Sequence, residues 1–178
     1  MTKLERNTKE TRITIDLGGA TKAQTPDPFL SHMVESLGKH SGIGIQLQAR
    51  SLDQVDHHLI EDVAIALGRA LRAKTEGRPI RRYGERLLPM HDALVSVSLD
   101  AGGRPYYDGP VPMPLYEHFL RSLAFEAAWT LHVEVRRGKD AHHIVEAAVK
   151  GLALSLKDAL VPARDTQSTK GEVEFVGR

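Results

Sequence analysis

Between residues 11 and 17 the chain alternates, with Ile13, Ile15 and Leu17 on one side and Thr14 and Asp16 on the other. That is the two-residue period of a strand with one buried face. A Gly/Thr/Pro-rich loop follows. From Pro28 to about Lys39 the period changes: Phe29, Met33 and Leu37 recur every four residues behind a proline in the first turn, which predicts a short helix. Ile43, Ile45, Leu47 and Ala49 alternate as a second strand. Val63, Ala64, Leu67, Ala70 and Leu71 then form one apolar stripe on a helix from Asp56 to about Lys74, ended by "TEGRP".

The same plan returns. Val95, Val97 and Leu99 alternate, "AGGRP" turns the chain, and a helix is predicted from about Leu115 to Glu126 after "PVPMP". Leu131, Val133 and Val135 alternate next, and "KDAHH" opens a long helix with Ala148, Leu152, Leu156 and Ala159 on its inner side. Residues repeat as well as periods. Ser36-Leu37 recurs as Ser122-Leu123 and His32 as His118 at an offset of 86, while His57, His58 and Glu61 recur as His142, His143 and Glu146 at 85. An internal duplication is expected, with half-repeats at 1–90 and 91–178 forming one compact α/β unit. The polar "RNTKET" before the first strand reads as a frayed terminus.

Composition narrows the chemistry. Of 178 residues 41% are hydrophobic, enough for a real core, and the formal net charge of +1 gives no overall bias towards nucleic acid or a membrane surface. With no cysteine, disulfides, thiolate catalysis and Cys-based zinc sites are excluded, so metal ligands must come from His, Asp or Glu. No apolar run reaches the length of a membrane span or a signal peptide, so a cytoplasmic protein is expected.

Nine histidines make ligand spacing the leading question. Successive helical residues point about 100° apart, so neighbouring imidazoles at a helix start face two different ions, while a glutamate three or four residues on shares their side. The repeat then yields His32, His57, His58, Glu61, His118, His142, His143 and Glu146: six imidazoles and two carboxylates, or three His and one Glu per ion. Such donors suit Mn, Fe, Co or Zn, and octahedral sites would keep positions open for water or substrate. The order differs from the zincin HExxH because each glutamate follows both histidines. His132 alternates with Leu131 and Val133 and is expected on the outer face of its strand; His91 stands alone before a strand, structural or exposed. Basic residues beside glycines in "RRYG", "GGRPYY" and "STKG" point to a phosphorylated substrate.

"RNTKET", "FLSHM", "DHHLIED", "RRYG", "GRPY", "EHFLRSLA", "TLHVE", "AHHIVEAAVK" and "STKG", in this order over nearly the whole chain, resemble the imidazoleglycerol-phosphate dehydratase family. The resemblance implies a ribosomal-protein-type fold repeated twice, each half a small, mostly antiparallel sheet packed on two helices. It further implies trimers assembled into a 24-subunit shell, two Mn(II) per active site bound between subunits, and dehydration of a small phosphorylated imidazole in histidine biosynthesis. The family's ligands fall on the eight residues that the duplication singles out. Its catalytic glutamate falls on Glu10, and its phosphate contacts fall on His40, Arg82, Arg104, Lys150, Ser168 and Lys170.

Three departures stand out. Ser31 replaces the family's usual Asp beside the first helix histidine, "MHDAL" replaces "MDEAL" at His91 and Asp92, and the connector after "GRPYYDG" is short. The competing expectations are a hydrolase with two metals, which would need bridging carboxylates, and a metal-stabilised assembly with impaired catalysis.

Overall fold

A computed structural model describes residues 2–164. Each half of the chain runs β-β-β-α-β-α. The first comprises β1 (Thr2–Asn7), β2 (Thr11–Leu17), β3 (Lys22–Gln24), α1 (Pro28–Ser41), β4 (Ile45–Ser51) and α2 (Asp56–Thr75). The second comprises β5 (Tyr83–Met90), β6 (Ala93–Asp100), β7 (Tyr106–Asp108), α3 (Pro114–Glu126), β8 (Thr130–Arg137) and α4 (Ala141–Ala159). The strand orders are β1-β2-β4-β3 and β5-β6-β8-β7, antiparallel except for the parallel β3/β4 and β7/β8 pairs.

The helices and the four longer alternating strands lie where the hydrophobic periods put them. Four strands were not foreseen. The "RNTKET" stretch is not a frayed end: its Arg6 and Asn7 belong to β1, which pairs with β2 along its whole length. Its one apolar residue, Leu4, gave no period, because the next inward position is the charged Arg6. β5 alternates Gly84, Arg86, Leu88 and Met90 against the more exposed Tyr83, Glu85 and Leu87, again without an apolar period; it opens the second sheet upstream of the division at 90/91. The remaining two, β3 and β7, have three residues each, too few for a pattern.

Each sheet buries one face under its own two helices, as the BeBiBiB pattern of β2 and the BiBiBeBi pattern of β6 reflect. The helices then pair across the halves, α1 with α4 and α2 with α3. The core is therefore continuous from sheet to sheet through Leu30, Leu37, Leu67, Leu71, Leu120, Leu123, Leu152 and Leu156, all at most 1% exposed. Each such side chain contributes about 1.5–3 kcal/mol on burial.

Local signals start the helices. Asp27 caps α1 by accepting the N–H groups of Phe29 and Leu30, with Pro28 at the first helical position. Asp140 caps α4 through the His142 N–H at 2.8 Å. Among the described residues no helix is long and apolar enough to cross a membrane.

Candidate metal centre

The crossed helix pairing decides which histidines meet. His57 and Glu61 lie one turn apart on α2, and α3 brings His118 against them: His118 Nε2 is 3.1 Å from Glu61 Oε1, and His57 Nε2 is 3.8 Å from Glu61 Oε2. The three ligand atoms fall within 4.8 Å of one another. The mirror arrangement joins α1 to α4, where Glu146 takes His32 Nε2 at 3.0 Å and His142 Nε2 at 3.1 Å. Each cluster thus combines two histidines and one glutamate drawn from both halves.

The other member of each adjacent pair turns away. The rings of His57 and His58 stand at 89° and those of His142 and His143 at 88°, as expected for neighbours on a helix. His58 Nδ1 meets Asp53 Oδ2 at 2.6 Å, with Glu10 Oε2 at 3.7 Å. His143 Nδ1 meets Asp92 Oδ1 at 2.7 Å. A carboxylate only accepts, so each Nδ1 donates, an arrangement that in the neutral ring puts the lone pair on Nε2, where an ion could take it. One chain therefore brings three side chains to each cluster and turns His58 and His143 away from it.

Both supporting carboxylates are themselves fixed. Asp53 accepts from the Val55 N–H at 3.0 Å and Ser51 Oγ at 3.3 Å; Asp92 accepts from the Lys139 and Asp140 N–H groups at 2.6 and 3.2 Å. The His143 hydrogen bond and these two amides hold Asp92 far below the usual carboxylate range. In turn the hydrogen bonds to Asp53 and Asp92 raise His58 and His143 above the ordinary imidazole value. At Glu146 burial pushes upward, but hydrogen bonds from Lys150, 2.7 Å away, and from His32 outweigh it and leave the carboxyl lowered. Nothing in the sequence marked Asp53, which lies five residues before its histidine.

Two tests bear on whether these residues suit a metal. His118 Nε2 is buried and forms no hydrogen bond among the described residues, although Glu61 Oε1 is 3.1 Å away; a buried imidazole nitrogen without a hydrogen bond is one whose lone pair an ion would satisfy. Imidazole nitrogen with a single carboxylate is also a borderline donor set for divalent transition metals. The residues fit.

The expected phosphate contacts divide. Lys150 borders the His32–His142 cluster through Glu146, and His40, at the end of α1, lies close enough for Lys150 to act on it: burial first, then Lys150 and Lys39, lowers its pKa. Arg82 is elsewhere. Its N–H binds the Ala159 carbonyl at the last residue of α4, and its guanidinium grips Asp100 at 2.7 and 2.8 Å. From His142 to Ala159 the helix rises about 25 Å. Arg104 sits past the far end of α3 from His118, its carbonyl accepting from Thr130 Oγ1 at 2.9 Å. Ser168 and Lys170 lie outside the described residues. Ser31 Oγ is engaged by the Thr25 N–H and hydroxyl at 3.1 and 3.0 Å, and His32 is oriented by Glu146 instead. His132 is exposed on the outer face of β8, as its alternation predicted. His91 is less isolated than the sequence suggested, its ring 4.6 Å from that of His143.

The model of the family described as "Imidazoleglycerol-phosphate dehydratase" matches residues 25–156. This chain belongs to that family. Among curated imidazoleglycerol-phosphate dehydratases it is 46% identical to the one from Pyrobaculum arsenaticum over 93% of this chain and 97% of that one. It is 38% identical to the one from Archaeoglobus fulgidus over 98% and 100%. Solved dehydratases of the family superpose along nearly their full length. That of Pyrococcus furiosus gives a TM-score of 0.85 at 35% identity, covering 96% of this chain and 100% of its own. That of Staphylococcus aureus gives 0.76 at 28%, covering 92% and 100%.

Proposed function

We propose that the protein is a metal-dependent hydro-lyase that removes water from imidazole glycerol phosphate to give imidazole acetol phosphate, in the cytoplasm. The observation that carries the reading is the pair of cross-half clusters, His57–Glu61–His118 and His32–His142–Glu146, with His58 and His143 turned outward on fixed carboxylates, in a chain of this family. These eight residues would hold two Mn(II) per active site. When bound, the metal supplies Lewis-acid stabilisation of the substrate's imidazole ring in its electron-rich form.

The chain's own residues do the rest. Glu10 is the general base: it takes the proton from the substrate carbon next to the one that loses hydroxide. The hydroxide leaves as water after protonation, and the resulting enol becomes the ketone. Lys150 and His40 hold the phosphate beside one cluster and so fix the reacting carbons. Arg82 and Arg104 serve the same phosphate from a neighbouring copy, because in their own chain the α4 span and the far end of α3 separate them from the clusters. The outward His58 and His143 likewise complete clusters on other copies, so the active unit is a homo-oligomer, trimers assembling to a 24-mer. Among the described residues each of the two clusters holds a single carboxylate, Glu61 or Glu146, on separate helix pairs, which argues against the carboxylate-bridged metal pair of a two-metal hydrolase.

The reading is tested by loading the purified protein with Mn(II) and assaying dehydration. Turnover is expected. Arg82→Ala and His142→Ala are each expected to be inactive alone, and mixed oligomers of the two to regain part of the activity, since an intact site can then take Arg82 from one copy and His142 from another. A metal-loaded, assembled parent without dehydration refutes the function; mixtures that stay inactive refute the shared site.

A further inference from the structure

The two halves build the same hairpin in different ways. In the first, Asp62 on α2, only 6% exposed, gathers the β1–β2 hairpin. Its Oδ1 accepts from Arg6 Nε at 3.0 Å and Nη2 at 2.5 Å, and its Oδ2 accepts from Thr11 Oγ1 at 2.5 Å and Thr8 Oγ1 at 3.4 Å. Thr8 Oγ1 in turn accepts the N–H groups of Glu10 at 3.1 Å and Thr11 at 2.9 Å. The Glu10 carbonyl accepts from the Leu52 N–H at 2.7 Å. The backbone of Glu10 is thereby tied on both sides to α2 and its preceding loop.

The second half lacks all of this at matching positions. Arg6 faces Ile13, which faces Ala49; Leu88 faces Val95, which faces Val135. So Leu88 replaces Arg6, Ala93 replaces Thr11, and Ala147 replaces Asp62 at the offset of the histidine pairs. The same hairpin packs on the same helix position with three apolar side chains, so the packing does not require the polar network. There the turn is held by its own acid, Asp92, whose carboxylate is spent on His143 and two backbone amides. In the first half the network secures the backbone instead and leaves the Glu10 carboxyl at 3.7 Å from His58 Nδ1.

We propose that Asp62, with Arg6, Thr8 and Thr11, forms a positioning network that sets the Glu10 carboxyl for proton abstraction. It rests on the dehydratase reading and on Glu10 as base. Asp62 touches no substrate; it acts through the turn. A buried carboxylate with fixed partners costs stability relative to an apolar replacement unless its geometry is good, and the second half supplies that replacement ready-made.

The experiment transplants it: Arg6→Leu, Thr11→Ala and Asp62→Ala together, which avoids leaving one charge buried alone. Metal content, oligomer size and KM are expected to stay near the parent's, while kcat falls roughly 10- to 100-fold, the scale of a reacting group displaced by about 1 Å. Amide exchange at Glu10 and Thr11 is expected to accelerate. Thr11→Val should reproduce part of the kcat loss and Thr11→Ser should restore it. Parental kcat in the triple variant, or a loss that tracks missing metal or broken assembly, overturns the proposal, as does unchanged amide exchange. A parent that assembles with metal but never dehydrates refutes the function instead, and the exchange measurement still reports whether the network holds the turn.

Discussion

Gly68 lies where α2 and α3 come closest, and replacing it with alanine tests whether that contact sets the geometry of the His57–Glu61–His118 cluster. A Cβ there would meet the Leu123 carbonyl oxygen at 2.7 Å, the Glu126 Cβ at 2.8 Å and the Ala127 nitrogen at 3.1 Å, well inside the roughly 3.5 Å at which non-bonded heavy atoms rest. Two of these neighbours are backbone and cannot swing aside, so α3 must retreat by several tenths of an ångström. Overpacking of this kind costs about 1–3 kcal/mol, against a gain of about 1 kcal/mol from replacing glycine in a helix. The expected net is a destabilisation of up to about 2 kcal/mol, or a melting point lowered by about 2–4 °C per kcal/mol in a chain of this size. Calorimetry at fixed protein concentration in chelator measures it without contributions from metal. Because His118 rides on α3, titration should also show weaker metal binding at the α2/α3 cluster than at the α1/α4 cluster. Ala153, the matching position on α4 and fully buried, supplies the control: Ala153→Gly should cost about 1 kcal/mol of helix propensity and leave both clusters alone. If Gly68→Ala is as stable as the parent and binds metal identically, the close approach yields freely and does not set the site.

Further outcomes follow from the same geometry. Glu10→Gln should abolish most turnover while metal content and assembly persist; unchanged kcat removes Glu10 from the chemistry. Asp53→Ala and Asp92→Ala release the Nδ1 sides of His58 and His143 and should weaken metal binding roughly 10- to 100-fold, read by competition with a chelating dye; parental affinity would show that these carboxylates do not orient the ligands. If His58 and His143 complete clusters on other copies, chelation should shrink the oligomer, seen by light scattering; an assembly of unchanged mass would mean that the subunits are joined without the metal. Tyr116→Phe removes the Tyr116 Oη to Asp27 Oδ2 hydrogen bond of 2.9 Å that ties α3 to the cap of α1, and should cost about 1 kcal/mol in denaturant unfolding.

The elements that bury a whole apolar face were legible because burial imposes a period, and the duplication paired their residues. β1 and β5 escaped for a common reason. Both lie at the edge of a sheet, and each points a charged side chain inward that is neutralised only by a distant partner: Arg6 by Asp62, and Arg86 by Asp158. A pattern of hydrophobic positions cannot register an ion pair whose other half is more than fifty residues away. The histidines of the two clusters were legible for the opposite reason: His57, His58 and Glu61, like His142, His143 and Glu146, lie within about one helical turn, and the repeat added His32 and His118. Their division into clusters was not. That His118 belongs with His57, and His32 with His142, depends on how four helices cross, and no offset along the chain encodes it. Arg82 was expected at the phosphate from the family resemblance, and its separation from the two clusters in its own chain follows only from the length of α4.

The crossing of the helices also orders events during synthesis. Neither half owns a complete cluster: the first emerges with His57 and Glu61 but no His118, and with His32 but no Glu146. A nascent first half therefore displays α1 and α2 without their partner helices and with both of these clusters incomplete. An ion held by either cluster would have to wait until α3 and α4 have docked. Assembly that depended on that ion would then exclude truncated or half-folded copies, and the two clusters would serve as a check on the subunit as well as a site of chemistry.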